Sequence, residues 1–165
     1  MKEDGLGRGE VMTVEERLES LNVKLPAAPA PIGAYVPAVR SGRLVFLAAQ
    51  IPTKDGKPFV TGKLGAGLTV ESAAEAVRLT TINALSALKG LIGELDKVTR
   101  VVKLTGYVAS APGFTEQPEV LNHASQMLLA AFGERGRHAR AAVGVAELPR
   151  GVPVELDFVF EVEEA

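Results

Sequence analysis

The strongest pattern in the chain is the run Val154-Glu155-Leu156-Asp157-Phe158-Val159-Phe160-Glu161-Val162, in which apolar and acidic residues alternate. Side chains alternate across a strand, so Val154, Leu156, Phe158, Phe160 and Val162 share a core face, while Glu155, Asp157, Glu161 and Glu163 share the other. In the run before it, Val143 and Val145 fall on one face and Arg140, Ala142, Gly144 and Ala146 on the opposite one. Leu148-Pro149-Arg150-Gly151 between the two runs reads as a turn, and the pair as an antiparallel hairpin. With both valine faces in one core, the expected register places Arg140 on the same side as Glu155, over a floor of small side chains.

Upstream, Thr13-Val14-Glu15-Glu16 has the spacing of a capping box, and Val14, Leu18 and Leu21 give a short helix one apolar stripe. Residues 1–10 are Gly-rich and charged and are expected to fray. Pro26 to Pro31 reads as an extended connector. Residues 1–31 are thus expected to be an extension with little packing area, and residues 32–165 the domain. Ile32–Arg40 and Leu44–Ala49 are predicted strands around a turn at Ser41-Gly42, with Pro37 marking an edge or a bulge. Lys54-Asp55-Gly56-Lys57 is a second turn. Thr69 caps a helix over Val70–Ile92, whose stripe is Ala74, Val77, Thr81, Leu85, Leu88 and Ile92, and Gly93 ends it. Thr99–Ala109 reads as a central strand apolar on both faces, with Val102, Leu104 and Val108 on one and Val101 and Tyr107 on the other. Pro118 suits the first turn of a second helix carrying Leu121, Ala124, Leu128, Ala131 and Phe132, which Gly133 stops.

This order predicts an α+β fold, one mostly antiparallel sheet with two helices packed on one face. The far face stays uncovered, and Ala142, Gly144 and Ala146 on it predict self-association.

Composition narrows the chemistry. The 165 residues, 47% hydrophobic and 23% charged, suit one domain with a real core. No cysteine occurs, which excludes disulfides, a thiolate nucleophile and thiolate metal sites. His123 and His138 lack ligand spacing, so no metal is expected. A net charge of −2, few aromatics and no basic run speak against a nucleic-acid partner. With no signal-like start and no apolar run near the roughly 20 residues a spanning helix needs, a soluble cytoplasmic protein is expected. Gly62-Lys63-Leu64-Gly65-Ala66-Gly67 lacks phosphate-loop spacing and is expected to be a flexible loop near the cleft.

R-x-x-V-x-V-x-x-L-P, from Arg140 to Pro149, followed by Val154-Glu155-Leu156-Asp157, resembles the C-terminal signature of the RidA/YjgF family of reactive-intermediate deaminases, also labelled endoribonuclease L-PSP-like. Ile32-Gly33-Ala34-Tyr35 is similar to that family's I-G-P-Y, and Ala48-Ala49-Gln50-Ile51-Pro52 to its S-G-Q-I-P. The resemblance runs from about Ile32 to Val162. It implies a chorismate mutase-like (YjgF-like) fold assembled as a homotrimer, with sites in the clefts between subunits. It implies that Arg140 binds a substrate carboxylate and Glu155 positions water, with Tyr35, Ala48, Ala49, Asn122 and Ala142 as substrate-binding positions. The implied activity is hydrolytic deamination of enamine and imine intermediates of amino acids to 2-keto acids and ammonia, with no cofactor. The alternative is a non-catalytic trimer that binds a small carboxylate or acts as a chaperone-like surface. Ala48-Ala49 departs from the family's Ser-Gly by losing a hydroxyl and gaining a methyl, and Ala142 stands where many members have cysteine.

Overall fold

The computed structural model describes residues 11–28, 30 and 33–165, so the expectations for residues 1–10, Pro29, Pro31 and Ile32 lie outside it. The chain runs through α1 (Val14–Ser20), β1 (Ala38–Ser41), β2 (Leu44–Leu47), the two-residue strands β3 (Thr53–Lys54), β4 (Lys57–Pro58), β5 (Lys63–Leu64) and β6 (Gly67–Leu68), then α2 (Val70–Ile92), β7 (Val98–Ala109), α3 (Gln117–Phe132), β8 (Ala139–Val145) and β9 (Val154–Val162). Five strands form the main sheet in the order β1-β2-β9-β7-β8, with β7 and β8 parallel and every other pair antiparallel. The α2 and α3 helices cover one face of it, and α1 joins their layer. The architecture is α+β with a mostly antiparallel sheet.

The expected helix boundaries follow from their caps. Thr69 Oγ1 accepts from the Ser72 amide, and Gly93 ends α2 with φ +86°, a conformation that a side chain disfavours. Val77, Thr81, Leu85 and Leu88 are fully buried and Ile92 nearly so, whereas Ala74 lies only at the margin and Ala73, Ala76 and Ala84 complete the stripe. Gly133 likewise ends α3, whose Leu121, Ala124, Leu128, Ala131 and Phe132 are all in the core.

The C-terminal runs are two strands, but not a hairpin. β9 inserts between β2 and β7, and β8 lies on the far side of β7 as an edge strand. The segment after Val145 crosses the end of β7, where the Ser110 amide donates to Val145 O (2.9 Å) and the Ala109 amide to Pro153 O (2.9 Å). A parallel neighbour cannot be reached by a tight turn, so α3 carries the chain from β7 back to the start of β8.

This topology reverses the expected faces of β8. Arg140 pairs with Leu104 and Ala142 with Gly106, on the side that the helices cover, so Val143 and Val145 point to the uncovered side. The small residues mark close helix approach rather than an open floor. A Cβ at Gly106 would overlap the Leu121 side chain, and one at Gly144 would lie 2.7 Å from Gln117 Nε2. Gly106→Ala should therefore lower stability by about 1–3 kcal/mol through overpacking, seen as a lower denaturation midpoint with an unchanged m-value.

β7 is central, as expected, but a bulge changes its phase. The register skips Val102 between the Val101–Phe160 and Lys103–Val159 pairs, so Val101, Leu104 and Val108 all face the core while Val102 is only half-buried. Of the predicted first strand, Ile32–Arg40, the strand that forms is Ala38–Ser41, paired with Leu44–Leu47. Residues 33–37 bend, and the two-residue loop is Gly42-Arg43, closed by the Ser41–Leu44 pair. The segment expected to be a flexible Gly-rich loop is anchored, since Leu64 is fully buried and its carbonyl accepts from the Ala111 amide.

The uncovered face carries a row of Val39, Phe46 and Val159 across β1, β2 and β9, with Leu44 at one end and Val143 on β8. Val39 is 53% and Phe46 44% exposed, a large apolar area for the open side of a sheet. Among the described residues no helix is long and apolar enough to cross a membrane.

Candidate functional site

The matched residues fall into two separate clefts. The first cleft is built where residues 48–52 run beside β9. The amide and carbonyl of Gln50 exchange hydrogen bonds with those of Leu156 (2.8 and 2.9 Å), and Asn83 Nδ2 on α2 donates to Ile51 O and Thr53 O. These anchors line up Ala48 and Ala49 with the strand that carries Glu155. Tyr35, Ala49, Gln50, Ile51, Arg150 and Glu155 line a cleft of about 470 Å³. Tyr35 is 59% exposed and forms part of its wall.

Glu155 is the half-buried carboxylate of this cleft. Burial, and then the like charge of Asp157 two residues on, push its carboxyl above the usual carboxylate range. Opposite it in β7, Tyr107 Oη donates to Asp157 Oδ2 at 3.4 Å, and Asp157's charge holds the phenol above its ordinary value. A carboxyl with a raised folded-state value binds more protons folded than unfolded, so it subtracts stability as pH rises above the ordinary carboxylate range. Glu155→Gln should therefore raise the melting temperature at neutral pH, and the gain should vanish below about pH 3, where both states carry a protonated glutamate.

The second cleft lies between α3 and the edge strand β8. Arg140 Nη1 donates to Asn122 Oδ1 (2.9 Å) and to Ser125 Oγ (3.1 Å). Both hydrogens of that nitrogen are thereby engaged. Its Nε and Nη2 have no partner among the described residues, and the side chain lines a cleft of about 260 Å³ with Ser125, Leu129, Arg137 and His138. Ala142, two pairs further along β8, packs against the core beneath α3.

Arg140 and Glu155 do not meet within one chain. Arg140 is opposite Leu104 and Glu155 opposite Tyr107, three residues along β7 and two strand spacings apart, or about 10 Å in each direction. They also lie on opposite faces of the sheet. The expected register, which set them side by side, fails because β7 separates their strands.

Three polar residues of these clefts escaped the sequence reading. Ser125 is one helical turn from Asn122, and His138 is two residues before Arg140 along the strand direction, so each carried a spacing that could have linked it to the arginine. Arg150, in the turn read only as punctuation, reaches the Glu155 cleft and donates through Nη2 to Gly56 O (3.0 Å).

A family model described as "YjgF/chorismate mutase-like, putative endoribonuclease" matches residues 15–156, and the chain belongs to that family. Protein TCP17 of Trypanosoma cruzi is 47% identical over 150 residues, covering 90% of this chain and 94% of that protein. The 2-iminobutanoate/2-iminopropanoate deaminase of Capra hircus is 32% identical over 132 residues, 80% of this chain and 82% of that one. The crystal structure of Atu1372, a protein of unknown function from Agrobacterium tumefaciens, superposes with a TM-score of 0.84 at 44% identity, covering 91% of this chain and 92% of its own. The spans shared with TCP17 and Atu1372 exceed what residues 33–165 supply, so both take in part of the segment that holds α1.

Proposed function

We propose that this protein is a cytoplasmic deaminase that hydrolyses enamine and imine intermediates of amino acids to 2-keto acids and ammonia, acting as a homotrimer with its sites between subunits. The observation that carries this reading is the state of Arg140. One nitrogen is pinned by Asn122 and Ser125, while Nε and Nη2 are without a partner among the described residues, on a side chain that lines a cleft. Two parallel N–H groups on a fixed guanidinium match the two oxygens of a carboxylate. The deaminase of Capra hircus supports the substrate class.

A 2-imino acid held there by its carboxylate presents its C=N carbon to water. Deprotonating or orienting that water takes a positioned base, and Glu155 has a raised value suited to accepting a proton. Because Glu155 and Arg140 of one chain lie on opposite faces, the two roles are joined by a second copy, whose Tyr35, Ala49 and Glu155 cleft abuts the Arg140 edge. The row of Val39, Phe46 and Val159 on the uncovered face supports burial against further copies.

A second reading is a trimer of the same build that binds a small carboxylate, or acts as a chaperone-like surface, without turnover. The Ala48-Ala49 pair favours it, because a hydroxyl donor is absent and an extra methyl stands on the segment that borders Glu155. An amino-acid oxidase generating imines in situ, coupled to keto-acid and ammonia detection, separates the two. Faster ammonia release with the protein supports the deaminase, and an unchanged rate leaves the binder. Sedimentation at micromolar concentration tests the assembly, and a stable monomer would remove the composite site.

A further inference from the structure

We infer that Arg150 makes the Glu155 cleft a receptor for a second negative charge, so that the imines it serves best are those of acidic amino acids, with a carboxylate at each end. The inference rests on the hydrolytic reading above and adds to it the class of imine. In that reading the imine carbon stands beside Glu155, so whatever the substrate carries beyond that carbon enters the cleft that Glu155 lines. Arg150 lines the same cleft, and among the described residues these two are its only charged ones. At about 470 Å³ the cleft has the size of a small-molecule site and far exceeds what the methyl group of the alanine imine fills.

The two opposite charges do not cancel. Arg150 forms no ion pair among the described residues. A cation paired with Glu155 would hold its carboxyl down, whereas burial and Asp157 leave it raised. Arg150 Nη2 is fixed on Gly56 O at 3.0 Å, a neutral acceptor that leaves the positive charge uncompensated, and Nε and Nη1 have no partner among the described residues. A guanidinium carries five N–H donors, so most of them remain for a ligand.

The backbone holds this group in place. Arg150 has φ +59°, a left-handed conformation that glycine would adopt at less cost. The Gly151 amide donates to Leu148 O (3.1 Å) and the Gly62 amide to Gly151 O (3.0 Å), which locks the turn. Tyr35, Pro37, Ala49, Ile51 and Pro149 form much of the remaining wall, and a wall of low polarity strengthens the pull of a lone cation on an anion. A monocarboxylate imine leaves Arg150 to water. A distal carboxylate on the imine's side chain gives it a partner, and Arg150 offsets the repulsion that Glu155 exerts on that group. The hydrolysis is otherwise the same: water enters, ammonia leaves, and the product is an acidic 2-keto acid.

The test uses the full-length protein with imines generated in situ by oxidases from alanine, aspartate and glutamate. Wild type should favour the acidic imines over the alanine imine by about 10-fold in kcat/KM, the lower end of what a charge-assisted contact gives, because Arg150 is exposed to solvent. Arg150→Ala should erase that preference, and Arg150→Lys should keep part of it, since a point charge survives. Equal losses on every imine in Arg150→Ala would mean that the residue only braces the turn at Gly56 and would overturn the inference, as would a wild type without preference for the acidic imines; the hydrolytic reading stands in both cases. If no imine is turned over, calorimetric titration with oxaloacetate and pyruvate decides. Tighter binding of oxaloacetate, lost in Arg150→Ala, sustains the second-charge receptor and removes only the hydrolysis, and equal affinity for the two overturns both.

Discussion

Arg140→Ala should reduce kcat/KM for carboxylate-bearing imines about 100-fold while leaving the fold intact. A charge-assisted bidentate contact of about 3 kcal/mol converts to roughly two orders of magnitude in rate or affinity. The side chain lies at the sheet edge, half-buried, and among the described residues its only bonds are to Asn122 and Ser125, so its removal leaves no buried charge there without a partner. Arg140→Lys should recover little, because one ammonium cannot hold Asn122 and Ser125 on one side and both carboxylate oxygens on the other. Arg150→Ala is the informative comparison, since that guanidinium shares the cleft of Glu155. Retained activity in Arg140→Ala with loss in Arg150→Ala would move the carboxylate receptor to the other cleft. The coupled oxidase assay, with circular dichroism as the control for folding, reads all three variants.

The second large effect is expected far from either cleft. Leu18→Ala should cost about 2–5 kcal/mol and lower the melting temperature by roughly 4–20 °C, at about 2–4 °C per kcal/mol for a chain of this size. The sequence reading assigned the first 31 residues little packing area, but Val14, Leu18 and Val23 are buried in the same core as α2 and α3. Polar contacts tie the helix down as well. The Val14 amide donates to Asp96 Oδ2 (3.0 Å), the Leu95 amide to Glu15 Oε1 (3.1 Å), and Lys89 Nζ is 3.3 Å from the same carboxylate. Burial alone would raise the Glu15 carboxyl, but the Leu95 amide and Lys89 outweigh it and hold it below its ordinary value. A depressed carboxyl stabilises the fold above the ordinary carboxylate range and loses that contribution as pH falls through its folded value, so α1 should loosen on acidification. A melting temperature for Leu18→Ala within about 2 °C of wild type would show that the helix is an appendage.

What could be read from the chain depended on how local each signal is. The Thr13 and Thr69 caps, the Gly93 and Gly133 stops and the inward set from Val154 to Val162 are decided by near neighbours in sequence, and all stand where their spacing put them. The pairing of β8 was not legible, because alternation says which residues of one strand share a face and nothing about which strand lies alongside. A turn signal at Pro149-Arg150-Gly151 looks the same whether the chain returns beside β8 or passes over β7. The small residues Ala142 and Gly144 carried a second ambiguity, since a surface pressed by a helix and the floor of an open cleft both favour small side chains. Motif resemblance singled out Asn122 and Arg140, which the structure joins by a hydrogen bond, although the local pattern around them led to the wrong face. Leu18 was read as part of a short stripe, but how much that stripe buries depends on α3, more than 100 positions away.

The place of β9 in the sheet also bears on how the chain must be made. The β1–β2 pair and the β7–β8 pair have no strand in common until β9 arrives between them, and roughly 100 residues separate β2 from β9. During synthesis the early hairpin therefore emerges with one edge open and nothing to close it, and the apolar faces of α2 and α3 wait for the same strand. Folding of this topology should be a late, concerted event, dominated by distant pairings and slow for that reason. A ribosome stalled before Val154 would hold a nascent chain with helices but no completed sheet, a natural client for a chaperone.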